Sequence, residues 1–327
     1  MNLHNLCHPG EKKEIMIPVP KADGIPAVFV RGIKPGKRLV VTAGVHGCEY
    51  VGIQAVRELI QEIRTQELSG SILFIPLVNA EGFYEGAKQI VPEDGENLNR
   101  SFPGSEKGSI ASRMAYALEN FLVDRADFLL DLHGGDVNES MAPLVFFPVG
   151  AGEEIERKTR AATDFLSVDY RVQSRADNGL YSYAAQCKVP ALLVERGGGG
   201  TWDSGEVLAC KRNVYEILDF LGIRSMEEKA VPPREIAEVR YEEAETRGFW
   251  YCYKTPGSAV KEGEVLGELT DVYGNTIKRY LAEYDGITLY LTHALGVNPG
   301  DPLIAYGRGG GHQPLESGCH TYTQKSK

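Results

Sequence analysis

Between about residues 25 and 225 the chain alternates short aliphatic runs with longer segments of helical spacing, and no other feature limits the fold as strongly. Residues 27–30, 39–43, 71–78, 128–132, 144–148 and 191–195 are short, β-branched or aliphatic, and bounded by Gly or Pro, which reads as strands. Residues 51–65, 109–126, 153–166, 180–187 and 207–221 read as helices. In the first of these, Ile53, Val56, Leu59, Ile60 and Ile63 share one face at helical spacing. Strands alternating with helices predict an α/β domain with a mixed, largely parallel sheet flanked by helices. Ligands of such sheets bind at the carboxyl ends of strands. His46, His133 and Glu195 all lie at that end of a predicted strand.

Two of these residues belong to short motifs that suit a metal. His46-Gly47-Cys48-Glu49 follows the first long aliphatic run, and Asp131-Leu132-His133 ends another just before Gly134-Gly135. His46, Glu49 and His133 supply two nitrogens and a carboxylate, a three-ligand set that leaves zinc an open fourth position and marks a catalytic site. Asp131, two residues before His133, is placed to fix that imidazole from behind. His-x-x-Glu alone is a weak pattern, equally suited to a helix-capping His beside a solvated first-turn Glu. The chain has 7 histidines, however, and only His46 and His133 follow apolar strands into Gly-containing turns.

Composition narrows the class. A length of 327 residues leaves room for one domain of usual size and a smaller one. A formal net charge of −10 with no basic face argues against a nucleic-acid partner. No stretch approaches the roughly 20 apolar residues of a membrane span. The first residues carry neither a basic region nor an apolar core, so no secretory signal is expected. The 6 cysteines form no Cys-x-x-Cys pair, which fits free thiols in a reducing cytoplasm. Oligomeric state is left open, a homo-oligomer included.

Residues 1–225 are expected to form the α/β domain and 226–240, charged and containing Pro232-Pro233, a linker. Residues 241–310 change to short strands punctuated by Gly, with related patterns around Val260 and Gly296, and predict a small all-β barrel-like domain resembling a biotinyl/lipoyl fold. A swinging-arm carrier needs a modifiable Lys at a hairpin tip, and the tip here reads Leu269-Thr-Asp-Val-Tyr-Gly-Asn275. Residues 311–327 are expected to be a flexible tail.

Further polar residues complete the pattern. Asn97-Leu98-Asn99-Arg100 lies in an irregular segment where Asn and Arg can grip a carboxylate, or simply form an exposed Asx-turn. Glu195 ends a buried aliphatic run before four glycines, where burial would raise its pKa into the range of a general base; its alternative is a structural partner for Arg196. His-x-x-Glu, Asn-x-Asn-Arg, Asp-x-His and a strand-terminal Glu, in that order, resemble the succinylglutamate desuccinylase/aspartoacylase family of the zinc metallocarboxypeptidase superfamily. The resemblance covers nearly the whole chain. It implies one zinc ion held by His46, Glu49 and His133, a general base at Glu195, and substrate contacts from Asn97, Asn99 and Arg100. Members often carry an Arg shortly before the Asn-Arg motif to polarise the scissile carbonyl; this chain has Gln89 there, so either Lys88 beside it supplies the charge, or polarisation falls mostly to zinc, or the substrate differs from those of the acidic-amino-acid deacylases. Tyr181 is a weaker candidate for the pocket wall and more plainly a packing residue.

The resemblance implies a hydrolase of linear amide bonds, acting on a small N-acyl amino-acid-like substrate. A metallocarboxypeptidase uses the same zinc and Glu and stays an alternative. So does a non-catalytic binding protein on this scaffold, which would have no chemical need for all four site residues.

Overall fold

The structure is a computed structural model and describes residues 7–122 and 126–309. The expected tail at 311–327 lies outside the described residues. The chain divides into two units, Met1–Glu235 and Ile236–Lys327, so the division falls inside the expected linker.

In the first unit the strands are β1 (Lys12–Ile17), β2 (Ile25–Arg31), β3 (Lys34–Ala43), β4 (Ser69–Ile75), β5 (Phe128–His133), β6 (Glu139–Met141), β7 (Leu144–Pro148), β8 (Tyr170–Ser174) and β9 (Ala191–Glu195), followed by β10 (Arg234–Ile236). Nine of them make one sheet in the order β1-β2-β4-β3-β5-β9-β7-β8-β10. The central pairs β4–β3, β3–β5 and β5–β9 are parallel, as is β7–β8. β1–β2, β2–β4 and β7–β9 are antiparallel, so the sheet is mixed and largely parallel at its centre.

All six residues of β5 are buried, because helices cover both faces. The helices are α1 (Tyr50–Glu62), α2 (Ala80–Glu85), α3 (Ile110–Leu122), α4 (Glu153–Thr163), α5 (Leu180–Gln186) and α6 (Ser204–Phe220). Side chains alternate across the sheet with the period of two that a pleated strand imposes. Val40, Leu129 and Leu193 pack with α3 and α5 on one face. Val41, Leu130, Leu192 and Val194 pack with α1 and α6 on the other. Continuing that alternation puts Asp131, His133 and Glu195 on the α3–α5 face and Arg196 on the α6 face.

The predicted strands are present with slightly different ends, while β1 and β8 were not anticipated. The β1 sequence, Lys-Lys-Glu-Ile-Met-Ile, is mostly exposed and reads as polar; it is paired on one side only, with β2. The first helix stops at Glu62 rather than 65, because Thr65–Glu67 tightens into a 3-10 turn.

The second unit contains β11 (Glu238–Glu243), β12 (Gly248–Cys252), β13 (Ala259–Val260), β14 (Val265–Thr270), β15 (Thr276–Leu281), β16 (Gly286–Thr292), β17 (Gly296–Val297) and β18 (Pro302–Arg308). β15-β14-β12-β17 and β11-β18-β16-β13 lie in two antiparallel sheets around Trp250, Leu269, Tyr280, Ile304 and Tyr306. The expected linker thus contains β10 and the start of β11. The hairpin after β14 is closed by Asp271, whose Oδ1 accepts the backbone N–H groups of Tyr273 and Asn275. No described helix is long and apolar enough to cross a membrane.

Candidate metal centre

β3 delivers the chain to Gly44 and the turn that carries His46. Gly47 is required by space: a Cβ there would stand 2.2 Å from the backbone nitrogen of Phe83, so the turn lies directly against α2. Glu49 occupies the N-cap position of α1 but caps nothing with its side chain. Its carboxylate turns to the two imidazoles instead: Oε1 is 2.6 Å from His46 Nδ1 and Oε2 is 2.8 Å from His133 Nδ1. Gly134, after β5, also donates its N–H to Oε2 at 3.3 Å. One donor atom from each of His46, Glu49 and His133 falls within 4.8 Å of the others, and all three residues are buried.

The outward nitrogens are already engaged. His133 Nε2 meets Asp131 Oδ2 at 3.1 Å, and the other Asp131 oxygen accepts from Thr42 Oγ1 at 2.6 Å. His46 Nε2 meets Asn97 Oδ1 at 3.1 Å. Each imidazole therefore presents Nδ1 to the shared centre while its Nε2 is held by an oxygen. That is how metal-ligating histidines are oriented. Burial works against the Glu49 carboxylate, yet the two imidazoles pull its pKa down to about 2. Burial also opposes charge on His133, but Asp131 and Glu49 outweigh it and raise its pKa well above the ordinary value. Two neutral-capable nitrogens and a carboxylate, each supported from behind, fit a divalent ion with Zn-like preferences.

Glu195 is the register partner of His133 across the parallel β5–β9 pair, on the same face. Its Oε2 is buried with no hydrogen-bond partner among the described residues. Burial, and then the charge of Glu49, raise its pKa well above the usual carboxylate value. Arg196 does not pair with it. The guanidinium faces the other way, to Asn213 Oδ1 at 2.7 Å, Ser167 O at 2.6 Å and Glu206 Oε2 at 3.1 Å.

The remaining sequence candidates take varied places. Asn97 Oδ1 is committed to His46 and to the N–H of Asn99, so this residue orients a metal-facing imidazole. That contact was invisible in the sequence, where Asn97 read only as a pocket residue. Asn99 is buried and its Oδ1 accepts the Leu180 N–H at 2.9 Å, tying the loop to α5. Arg100 is exposed, with Nη1 donating to Asn99 O at 2.8 Å. Lys88 Nζ lies 3.3 Å from Glu139 Oε1, so the proposed carbonyl-polarising charge is engaged with a carboxylate. Tyr181 is buried in the α3–α5 core and bonds Ser174, a packing role.

Asp136 and Glu139 were missed. Both are buried, Asp136 in the loop leaving β5 and Glu139 at the start of β6. Glu139 Oε2 accepts the Asp136 N–H at 3.2 Å. Asp136 Oδ1 accepts from Val137 N–H, while Oδ2 is buried without a hydrogen-bond partner among the described residues. Burial raises the Asp136 pKa to about 6, with Val137 and Lys88 opposing and Glu139 and Glu49 adding.

Known proteins share this architecture. The product-bound ectoine utilisation protein EutE (DoeB) from Ruegeria pomeroyi superposes with a TM-score of 0.84 over 92% of this chain and 96% of its own, at 22% identity. A succinylglutamate desuccinylase/aspartoacylase from Rhodobacter sphaeroides gives 0.81 over 92% and 97%, at 24% identity. These likenesses define the fold class. Residues 35–221 match the catalytic-domain profile of succinylglutamate desuccinylase/aspartoacylase, and the chain belongs to that family. A relative from Halomonas elongata, N-alpha-acetyl-L-2,4-diaminobutyric acid deacetylase, is 27% identical over 88% of this chain and 84% of its own length.

Proposed function

We propose that this protein is a zinc-dependent deacylase that hydrolyses the amide bond of a small N-acyl amino acid. One observation carries the reading: His46, Glu49 and His133 converge while Glu195, with a buried and unpartnered oxygen, stands beside His133 on the same face of the sheet. Family membership and the deacetylase relative support it.

His46, Glu49 and His133 would hold the ion, with Asn97 and Asp131 fixing the two imidazoles. Zinc, when bound, supplies Lewis acidity that acidifies water and polarises a carbonyl. Glu195 takes the proton of the attacking water and passes it to the leaving nitrogen, a task suited to a carboxyl whose pKa burial raises well above the usual carboxylate value. Arg100 and Asn99 grip the substrate carboxylate and so set its distance from Glu195. Arg100 is exposed and held through Nη1 by the Asn99 carbonyl, whereas Asn99 must act through its amide nitrogen because Oδ1 is taken.

The test is a turnover screen of the zinc-loaded protein on N-acetyl and N-succinyl amino acids beside dipeptides, with a chelated control. Chelator-sensitive release of free amine from N-acyl amino acids is expected. Cleavage of dipeptides alone would replace the deacylase reading with a carboxypeptidase.

A further inference from the structure

We propose that a cavity sharing no residue with the metal-type cluster is a second small-molecule site, built for a free α-amino acid with an apolar side chain. It lies between the last turns of α6, the turn after α4 and residues 226–230, and has a volume of about 310 Å³. That is the lower end of the roughly 300–1,000 Å³ of ligand pockets. At ~30 Å³ for each water-sized group, it admits on the order of ten non-hydrogen atoms. Phe165, Met226 and Ala230 give it an apolar floor.

Four carboxylates also line the cavity, and arginines fasten three of them. Asp164 meets Arg171 Nη1 at 2.5 Å, Glu216 meets Arg212 Nε at 3.0 Å, and Glu228 meets Arg212 Nη1 at 2.9 Å. Asp219 differs. Its side chain is 11% exposed, the Met226 N–H fixes Oδ1 at 3.2 Å, and Oδ2 is left to the ammonium of Lys229, a side chain 60% exposed. An ion pair with one partner largely in solvent contributes little, so exchanging it costs little. Lys229 Nζ also lies 5.7 Å from the centre of the Phe165 ring, which brings pair and ring within reach of one small molecule. A zwitterion uses both halves of the opened pair: its ammonium takes Asp219 Oδ2, its carboxylate takes Lys229, and its apolar side chain covers Phe165 and Met226. A simple amine would leave Lys229 without a partner, and a simple carboxylate would leave the nearly buried Asp219 unpaired.

The experiment is calorimetric titration of the zinc-loaded protein with L-leucine, with 3-methylbutylamine, which lacks the carboxylate, and with 4-methylpentanoate, which lacks the ammonium. Binding is read without turnover, so the result stands apart from the deacylase reading. Leucine is expected to bind at least about 10-fold more tightly than either analogue, the scale of one charge-assisted hydrogen bond. Lys229→Met and Asp219→Asn should each weaken leucine by about 10-fold or more. Ala230→Trp, which fills the cavity, should abolish its binding. Arg100→Ala should leave leucine affinity unchanged, because that residue belongs to the proposed catalytic pocket. No leucine binding, an analogue bound as tightly as leucine, or an affinity that survives Lys229→Met overturns the site; loss of binding in Arg100→Ala would assign the amino acid to the catalytic pocket instead.

Discussion

Glu195 and Arg196 are consecutive, yet one faces the metal-type cluster and the other is buried against α6. The pleat alone separates a proposed proton carrier from a structural cation. Glu195→Gln should therefore keep the fold and the bound zinc while losing at least ~10²-fold in kcat, the usual scale for a lost proton-transfer group; undiminished turnover would show that the base is elsewhere. Asn97→Ala frees His46 Nε2 and should weaken zinc binding by roughly 10–100-fold, read by competition with a chromogenic chelator. Asp136 offers a test by stability. Its folded pKa of about 6 lies above the ordinary 3.8, so its contribution favours the fold at low pH and is lost as pH rises through 6. At pH 7.5 the buried charge is a cost, and Asp136→Asn should stabilise the protein by on the order of 2 kcal/mol in urea melts. The gain should shrink as pH falls from 6 towards 4.

At the scale of elements, the centre is built where β3, β5 and β9 end, and the turns there leave little space. Gly47→Ala would push a Cβ into the backbone of Phe83; about 1–3 kcal/mol of destabilisation is expected, together with weaker zinc binding as the His46 turn shifts. Loss of stability without any change in zinc affinity would show that the turn can relax away from the ligands. The same elements show what the sequence could convey. The β3, β5 and β9 segments are aliphatic runs ending in Gly-containing turns, so their register of burial and the placement of His46, His133 and Glu195 at strand ends were legible from period and punctuation. β1 escaped because an edge strand can be polar on most positions. The Asn97–His46 contact escaped because it spans 51 positions through an irregular loop, where no periodicity constrains the path. Asp136 and Glu139 escaped because burial of a short acidic turn depends on the glycine loop after β9 folding over it.

At the scale of the whole molecule, the fold shared with solved structures extends over both units. Zinc would join α1's leading turn to the end of β5, segments more than eighty positions apart in the chain. Binding to the folded state alone should stabilise by about 2.7 kcal/mol at a free zinc concentration of 100 Kd. Chelation should accordingly lower Tm by several degrees and re-addition restore it; an unchanged melt would argue against a site formed by folding. Arg196 has a wider consequence. It is tethered to Asn213 on α6, to Glu206 and to the Ser167 carbonyl, so the strand end presenting Glu195 inherits its position from groups no substrate touches. Random mutagenesis scored for lost turnover should return hits on the far side of the sheet, remote from the chemistry, and a sequence change that remodels α6 would retune the enzyme from behind.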